Sequence, residues 1–389
     1  MPLDLVPGID DLVNDMTAWR RDLHAHPETA FEETRTAAIV ADLLTSFGLE
    51  VHTGLAKTGV VGVLRNGEGP SIGLRADMDA LFINEQTGLA YASTHAGKMH
   101  ACGHDGHTAM LLGAAKYLAQ NKPFTGTVVF IFQPAEEGEG GARVMVDEGL
   151  FEKFPVDAVY GLHNWPGMEV GTFAVKAGPI MAAFDSFEAE IIGLGAHGGM
   201  PHLGVDPVVV AAQVITAWQS IVSRTIDPQD AAVISVTQVN AGHAFNVIPD
   251  TVYLKGAVRT FDEGVRARVW ARMEELGTGI CQGFGARFVI NRYDSYPATI
   301  NSDTESGLAA MAAAQVVGNV NVNHHPAPSM GAEDFAYMLS VRPGCYVWMG
   351  NGPGAGGCLL HNPQYDFNDA ALGVGASYWV KLVEGQLSL

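Results

Sequence analysis

The chain has 389 residues, of which 48% are hydrophobic and 16% charged, and this composition predicts folded domains with sizeable cores rather than disorder. Lys and Arg number 22 against 42 Asp and Glu, so the net charge of −20 excludes the basic surface needed to bind nucleic acid or anionic membranes. No apolar run is long enough to span a bilayer and no secretory signal begins the sequence, which together predict a cytoplasmic protein.

The first 165 residues alternate helical patterns with short apolar strands. Apolar residues at helical spacing predict one helix over about residues 9–23 and a second over residues 34–47, ending at Gly48. Further helical spacing covers residues 107–119. Branched apolar runs, typical of strands covered on both faces, occupy residues 60–64, 72–75, 128–132 and 158–162. This order predicts an α/β fold in which helices flank a mixed sheet.

The middle of the chain has a different order of elements. Asp206 and Pro207 open a predicted helix over residues 207–223, and a second helix is predicted over residues 265–281. Strands are predicted over residues 184–192, 233–239, 251–258 and 287–290. The resulting β-α-β-β-α-β order is ferredoxin-like. We therefore predict that residues 184–293 form an inserted domain and that residues 1–183 and 294–389 together form the other.

Residues 100–107 are rich in side chains that bind metals. Cys102 and His104 are two positions apart, so in an extended segment they would point the same way. A thiolate with an imidazole is a ligand pair typical of transition metals. A helix beginning just after His107 would bring its positive end near Cys102 and favour the thiolate. A helix N-terminus with polar caps and no metal is the alternative.

Glu136 and Glu137 directly follow the apolar strand predicted over residues 128–132. Adjacent carboxylates beside a buried strand are costly unless a cation lies near them. In hydrolytic metal sites one such carboxylate binds metal while its neighbour removes a proton from water. Two solvated loop glutamates are the alternative.

Two isolated histidines extend this set. His163 closes a predicted strand, and His361 lies near the C-terminus. An isolated histidine is more often structural, but ligand sites of α/β sheets form at the carboxyl ends of strands, where Asp79 and Glu137 are also predicted. One cysteine, three histidines and a glutamate provide enough donors for two ions that share ligands.

Taken together, the motifs resemble the dinuclear-metal aminoacylase/carboxypeptidase family, and within it the branch of hippurate hydrolases and indole-acetyl-amino-acid hydrolases. The resemblance covers essentially the whole chain, and the sequence departs from the family at Phe82, where proline is usual. The motifs that carry the resemblance are residues 20–28, 75–81, 100–107, 133–138, 160–166, 196–202, 245–250, 330–335 and 360–367.

The resemblance implies a role for each candidate residue in the catalytic domain. Glu136 would be the general base and then the acid that protonates the leaving amine, and Asp79 would orient a metal ligand. The ions would be two divalent metals, namely zinc, manganese, cobalt or nickel. Their implied ligands are Cys102, His104, Glu137, His163 and His361.

The resemblance also makes the inserted domain a lid or dimerisation domain. His197, which in the family often reaches the active site of the partner subunit, would stabilise the tetrahedral oxyanion. Asn246 and Arg259 would bind the α-carboxylate of the substrate, for which a guanidinium is well suited. A surface position on a strand is the alternative for Arg259. A homodimer or higher homo-oligomer is implied.

The sequence therefore predicts a metal-dependent amidohydrolase whose partner is a small molecule. Its predicted substrates are N-acyl amino acids of the hippurate, N-acetyl or indole-acetyl type, cleaved by metal-activated water with a glutamate as general base. A dipeptidase or carboxypeptidase using the same dinuclear site is one alternative. A metal- or peptide-binding protein without activity on the same fold is the other.

Overall fold

The computed structural model describes residues 4–353 and 359–388, apart from the side chains of residues 294 and 295. The chain divides into two compact units. The first comprises Met1–Ile180, Thr299–Ala327 and Asp334–Leu389, and the second comprises Met181–Ala298 and Pro328–Glu333. The role of residues 184–293 as a lid or dimerisation domain stays a prediction.

Helices and strands alternate along much of the chain. The helices are α1 (Val13–Ala25), α2 (Thr34–Ser46), α3 (His104–Asn121), α4 (Gly141–Asp147), α5 (Leu150–Lys153), α6 (Pro207–Arg224), α7 (Glu263–Gly283), α8 (Asp303–Val317), α9 (Ala336–Leu339) and α10 (Leu372–Gln386). The strands are β1 (Glu50–Leu55), β2 (Gly59–Asn66), β3 (Ser71–Asp77), β4 (Gly126–Gln133), β5 (Ala158–Trp165), β6 (Phe173–Ala174), β7 (Gly178–Met181), β8 (Ala183–Ile192), β9 (Ala196–His197), β10 (Ala232–Ala241), β11 (Val247–Ile248), β12 (Thr251–Thr260), β13 (Arg287–Tyr296), β14 (Thr299–Asn301), β15 (Val322–Asn323) and β16 (Gly344–Gly350).

An eight-stranded mixed sheet forms the centre of the first unit, in the order β1-β2-β4-β3-β5-β16-β6-β15. The four strands β4, β3, β5 and β16 run parallel to one another, whereas β2 pairs antiparallel with β4. Because parallel strands end at the same edge of a sheet, the segments that follow these four strands meet there. The mixed α/β fold predicted from the sequence is confirmed.

Helix α3 begins near that edge, where Thr108 Oγ1 donates to Asp77 O at the end of β3, and most of the helix is buried. Its residues from His104 to Ala115 are all buried, which explains why its apolar pattern is not confined to one face. The sequence predicted this helix to begin after His107, but it begins at His104. The reason is Gly103, whose φ of 93° lies in the left-handed region that glycine adopts without strain.

A four-stranded antiparallel sheet in the order β10-β12-β8-β13 forms the second unit with α6 and α7. The predicted ferredoxin-like order is confirmed as β8-α6-β10-β12-α7-β13. Asp206 caps α6 by accepting a hydrogen bond from Val208 N, with Pro207 in the first turn. The core of this unit lies between the two helices and one face of the sheet, and Trp218 is fully buried within it.

Cys102, Cys281 and Cys345 are buried free thiols, and Cys358 lies outside the described residues. Over residues 4–353 and 359–388, the helices are all too short or too polar to cross a bilayer.

Candidate metal centre and active site

The five predicted metal ligands all lie in the first unit, two of them at the start of α3 and three in or after the parallel strands. Cys102 and His104 flank Gly103 at the beginning of α3, Glu137 follows β4, and His163 lies in β5. His361 lies beyond β16, and its backbone N donates to Ala101 O at 2.8 Å. Segments far apart in the sequence therefore bring their donors to one place.

Cys102, His104 and His163 form one group of donors. One ligand atom from each lies within 4.8 Å of the others, and all three side chains are buried. Cys102 Sγ is 3.4 Å from His163 Nε2. His104 Nε2 is buried without a hydrogen-bond partner among the described residues. Such an orphaned nitrogen in a buried site beside a sulfur and a second imidazole fits a divalent metal ion.

Cys102 also belongs to a second group, with Glu137 and His361, whose donor atoms again lie within 4.8 Å of one another. Glu137 Oε1 is 3.2 Å from His361 Nε2. The same sulfur therefore takes part in two groups, and together these contain all five predicted ligands. This part of the chain can hold divalent metal.

Two further groups of metal-binding side-chain types overlap this one. In the first, Asp77, His104 and His107 are close together, but the oxygens of Asp77 are already bound. Oδ2 of Asp77 accepts from Arg75 Nη1 at 2.6 Å, and Oδ1 lies 2.6 Å from His107 Nδ1. Asp77 and His107 therefore form a buried layer behind the ligands. The second group contains His104, Glu136 and Glu137, and so places Glu136 beside two of the predicted ligands.

Asp79 contacts two of the predicted ligand residues. Its Oδ1 lies 3.2 Å from His104 Nδ1, and its Oδ2 accepts a hydrogen bond from Glu137 N at 2.9 Å. A carboxylate that binds Nδ1 of a histidine directs Nε2 of the ring toward the metal. This geometry supports the predicted orienting role of Asp79.

Glu136 lies in a sharp turn after β4. Ala135 before it has a φ of 55°, and Gly138 after it has a φ of 94°. The Glu136 side chain is 7% exposed. Glu33, the residue just before α2, holds this turn in place, because its Oε1 accepts a hydrogen bond from Ala135 N at 2.9 Å. Burial raises the pKa of Glu33 to about 7.

Carboxylates control protonation of the donors in the metal-free protein. Burial opposes the charged form of His104, but Asp77 and Asp79 outweigh it and raise the pKa of His104 to about 10. Burial, and then the charge of Glu137, raise the pKa of the Cys102 thiol well above its ordinary value. A divalent cation at these donors reverses both effects, because its charge favours the deprotonated ligands.

Two sequence-based expectations about Cys102 are therefore wrong. Cys102 and His104 do not lie in an extended segment, because Gly103 between them turns the chain into α3. Nor does the helix N-terminus hold Cys102 as a thiolate in the metal-free protein, because burial and neighbouring carboxylates disfavour another negative charge there.

His163 is held as a neutral imidazole. Burial lowers its pKa well below the ordinary value. Its Nδ1 lies 2.6 Å from Asn164 O and must donate to that carbonyl, which leaves Nε2 with a free lone pair facing Cys102.

Sequence reasoning missed three residues that support the site. These are Glu33, Asn164 and Tyr365, and the Tyr365 hydroxyl donates to Asn164 Oδ1 at 2.8 Å across 201 positions of sequence. No local pattern marks such a contact. The only sequence signal for Asn164 was a polar residue that directly follows His163 at the end of a predicted apolar strand.

The substrate-binding residues predicted in the second unit fall in two places. His197 pairs with Val247 in the small β9–β11 sheet, and Gly198 N next to it donates to Asn246 O at 2.8 Å, so His197 and Asn246 are neighbours. Both are exposed. Arg259 lies separately on β12, where its Nη1 donates to Met330 O and its guanidinium lies 4.6 Å from the centre of the Phe184 ring.

Arg259 is half-buried, and burial lowers its pKa. No carboxylate of the described residues pairs with it in an ion pair. Phe82, at the position where the sequence departs from the family pattern, is 78% exposed in the first unit.

Comparison with known proteins adds a separate line of support. A family model described as peptidase family M20/M25/M40 matches residues 73–385. The chain is 44% identical to the hippurate hydrolase of Campylobacter jejuni, with 98% of each chain covered. It is 36% identical to thermostable carboxypeptidase 1 of Saccharolobus solfataricus, with 96% of this chain and 97% of the relative covered.

A solved structure from Bacillus subtilis, described as a dinuclear metal binding peptidase from the M20 family, superimposes with a TM-score of 0.84. The two sequences are 38% identical, and the match covers 96% of this chain and 98% of the other. With this coverage at the level of both sequence and fold, the chain belongs to the M20/M25/M40 family of peptidases.

Proposed function

We propose that the protein is a metal-dependent amidohydrolase that cleaves N-acyl amino acids into a carboxylic acid and a free amino acid. The observation that carries this proposal is the pair of donor groups that share Cys102, with the carboxylate of Glu136 beside them. The relationship to a hippurate hydrolase over the full length supports the choice of bond.

We assign the metal ligands as Cys102, His104, Glu137, His163 and His361, which would hold two divalent ions. Sulfur and imidazole donors favour zinc, cobalt or nickel, and the carboxylate also admits manganese. When bound, divalent ions lower the pKa of water and polarise a carbonyl oxygen. The supporting observation is that each proposed ligand lies in one of the two groups that contain Cys102.

Glu136 is the proposed general base. It accepts a proton from the attacking water and later donates it to the nitrogen of the leaving amino acid. The turn between Ala135 and Gly138 holds this carboxylate next to the ligands, and Asp334 N lies 3.4 Å from Glu136 Oε1. Asp79 keeps His104 and Glu137 oriented through its two oxygens.

The second unit provides the remaining proposed contacts. Arg259 pairs with the α-carboxylate of the substrate, because it is a half-buried guanidinium to which the described residues offer a backbone carbonyl but no carboxylate. Asn246 assists this binding. His197 donates a hydrogen bond to the oxyanion that forms at the scissile carbonyl. The His197 ring is exposed, so neighbouring side chains do not cover the N–H group that would donate this hydrogen bond.

A carboxypeptidase using the same residues is the second candidate, favoured by the relationship to a thermostable carboxypeptidase over nearly the whole chain. Both activities hydrolyse an amide and require a free carboxylate on the product amino acid. They differ in the group on the acyl side, which is an amino acid in a peptide and a simple acid in an N-acyl amino acid.

An acyl panel separates these two candidates. Purified protein loaded with Mn²⁺, Co²⁺, Ni²⁺ or Zn²⁺ would be assayed on N-benzoylglycine, N-acetyl amino acids, indole-acetyl amino acids and dipeptides. We expect kcat/KM to be higher for N-acyl amino acids than for dipeptides. Preference for dipeptides would support the carboxypeptidase, and two bound ions without turnover of any substrate would contradict both.

Two coarser expectations accompany this function. We propose that the protein is a homodimer or higher homo-oligomer and that it works in the cytoplasm. Light scattering during size-exclusion chromatography tests the first, because a single mass of 41.2 kDa would contradict it.

A further inference from the structure

Asn164 lies directly behind the Cys102–His163 pair and has no role in the proposed reaction. It is fully buried. Its side-chain Nδ2 donates to Cys102 O at 2.6 Å and lies 3.0 Å from His107 Nε2, and its Oδ1 accepts the hydrogen bond from the Tyr365 hydroxyl. The oxygen and the nitrogen of this carboxamide therefore each have a hydrogen-bond partner.

These contacts fix the orientation of the carboxamide. Only the amide nitrogen can donate to the carbonyl of Cys102, so Oδ1 must face Tyr365. Because Oδ1 only accepts, the Tyr365 hydroxyl must donate. Loss of this one hydroxyl would leave a buried carboxamide oxygen without its partner, which costs more than the loss of an exposed hydrogen bond.

The backbone of Asn164 holds the other member of the pair. Its carbonyl accepts the hydrogen bond from His163 Nδ1 at 2.6 Å, and its N–H donates to His107 Nε2 at 2.9 Å. His107 in turn binds Asp77 Oδ1 through Nδ1 at 2.6 Å. One residue thus anchors Cys102 through its side chain and His163 through its main chain.

The space around this anchor is closed. Gly103 lies between two proposed ligands, and a Cβ atom placed on it would overlap Asn164 Nδ2 and the Tyr365 hydroxyl. The Cys102–Gly103–His104 segment therefore packs directly on Asn164 and Tyr365. It cannot shift toward them.

We propose that Asn164, held by Tyr365, is a positioning residue that fixes Cys102 and His163 at their mutual distance before a metal ion binds. The inference rests on the proposed function, since it takes these two residues as ligands. A ligand pair that is already in place loses less conformational freedom when the ion arrives, which strengthens binding.

Tyr365→Phe tests the inference, because it removes one hydroxyl and leaves the aromatic ring in place. Co²⁺ affinity would be measured by competition with a chelator, and the thiolate-to-Co²⁺ charge-transfer band by absorption. We expect roughly tenfold weaker Co²⁺ binding, within the range seen when partners of metal ligands are removed, and an altered band.

Tyr378→Phe is the matched control, because Tyr378 is also fully buried and its hydroxyl has no hydrogen-bond partner in the described part of the chain. Its Co²⁺ affinity and band should equal those of the wild type. Wild-type affinity and band in Tyr365→Phe would overturn the inference.

Cys102→Ser separates failure of the inference from failure of the proposed function. Loss of the band in Cys102→Ser, with wild-type behaviour in Tyr365→Phe, would overturn only the positioning role. Persistence of the band in Cys102→Ser would show that this sulfur is not a ligand, and would overturn both proposals.

Discussion

His24 Nδ1 lies 2.9 Å from Asp105 Oδ2, and both side chains are completely buried. The other ring nitrogen, Nε2, lies 3.3 Å from Glu85 Oε1. Arg20 also approaches Asp105, at 3.7 Å. A histidine that meets a carboxylate at each nitrogen is held as an imidazolium.

This pairing predicts a loss of stability in alkaline solution. Burial alone would lower the pKa of His24, but Asp105 and Glu85 outweigh it and raise it to about 9 from the ordinary 6.5. Stability from a raised histidine pKa is complete below pH 6.5 and is lost as the pH rises through 9. The loss should be on the order of 3 kcal/mol.

The measurement is the free energy of unfolding of metal-free protein between pH 6 and about pH 10 by urea denaturation. His24→Gln should reduce the pH dependence by about this amount and leave the part that comes from His104, whose pKa is also raised, whereas His325→Gln, a substitution of an exposed histidine, should leave all of it. Equal slopes for wild type and His24→Gln would contradict the prediction.

The proposed base predicts that Glu136→Gln binds metal normally but turns over slowly. Glutamine keeps the shape of the side chain and cannot accept the proton of the attacking water, so kcat should fall about 10²- to 10⁴-fold. Metal content by elemental analysis should equal that of the wild type. Glu139→Gln, in an exposed part of the same loop, should have wild-type kcat. Near-normal turnover by Glu136→Gln would exclude Glu136 as the base.

The proposed carboxylate contact predicts a binding defect for Arg259→Met. A charge-assisted hydrogen bond contributes about 1.5–3 kcal/mol, so KM for an N-acyl amino acid should rise roughly 10- to 100-fold. The variant should also lose its preference for the free acid over the corresponding amide. Arg287→Met, an exposed arginine on β13, is the control. If Arg259→Met kept the wild-type preference for the free acid, another residue would bind the α-carboxylate of the substrate.

The packing at Gly103 predicts that Gly103→Ala is far more harmful than Gly48→Ala. Both glycines have positive φ, at 93° and 87°, but a Cβ on Gly48 meets nothing within 4 Å. Gly48→Ala should therefore lower the free energy of unfolding only by the backbone strain, which is about 1 kcal/mol. Gly103→Ala adds overpacking and should cost about 2–4 kcal/mol in total. Thermal and urea unfolding of the metal-free variants would measure the difference. Equal losses of stability in the two variants would mean that the segment around Gly103 can move to make room for a Cβ atom.

Periodic apolar patterns were sufficient to predict much of the fold. Helices α2 and α6 end within one residue of their predicted limits, because each has one buried and one exposed face. Strand β1 was missed because it is an exposed edge strand containing His52 and Thr53. Helix α10 was missed for the opposite reason, since it is buried nearly all round and has no polar face to define a period.

The donors of the site could be proposed from the sequence because Glu137 and His163 lie at predicted strand ends, Cys102 and His104 lie ahead of a predicted helix, and the resemblance to a known family implied the full ligand set. The residues that hold these donors in place could not be predicted from the sequence. Glu33 reaches Ala135 across 102 positions, and Tyr365 reaches Asn164 across 201. Such contacts depend on how distant segments pack, and residue type alone carries no information about them.

The parallel pairing of β5 with β16, from Val159 opposite Gly344 to Trp165 opposite Gly350, has a consequence for biosynthesis. A ribosome makes the whole second unit after β5 and before β16, so one edge of β5 has no neighbour while that unit emerges. His361 is translated later still. A nascent chain would thus complete its set of donors only after the second unit has been made, and capture of metal by the full set would follow synthesis of that unit.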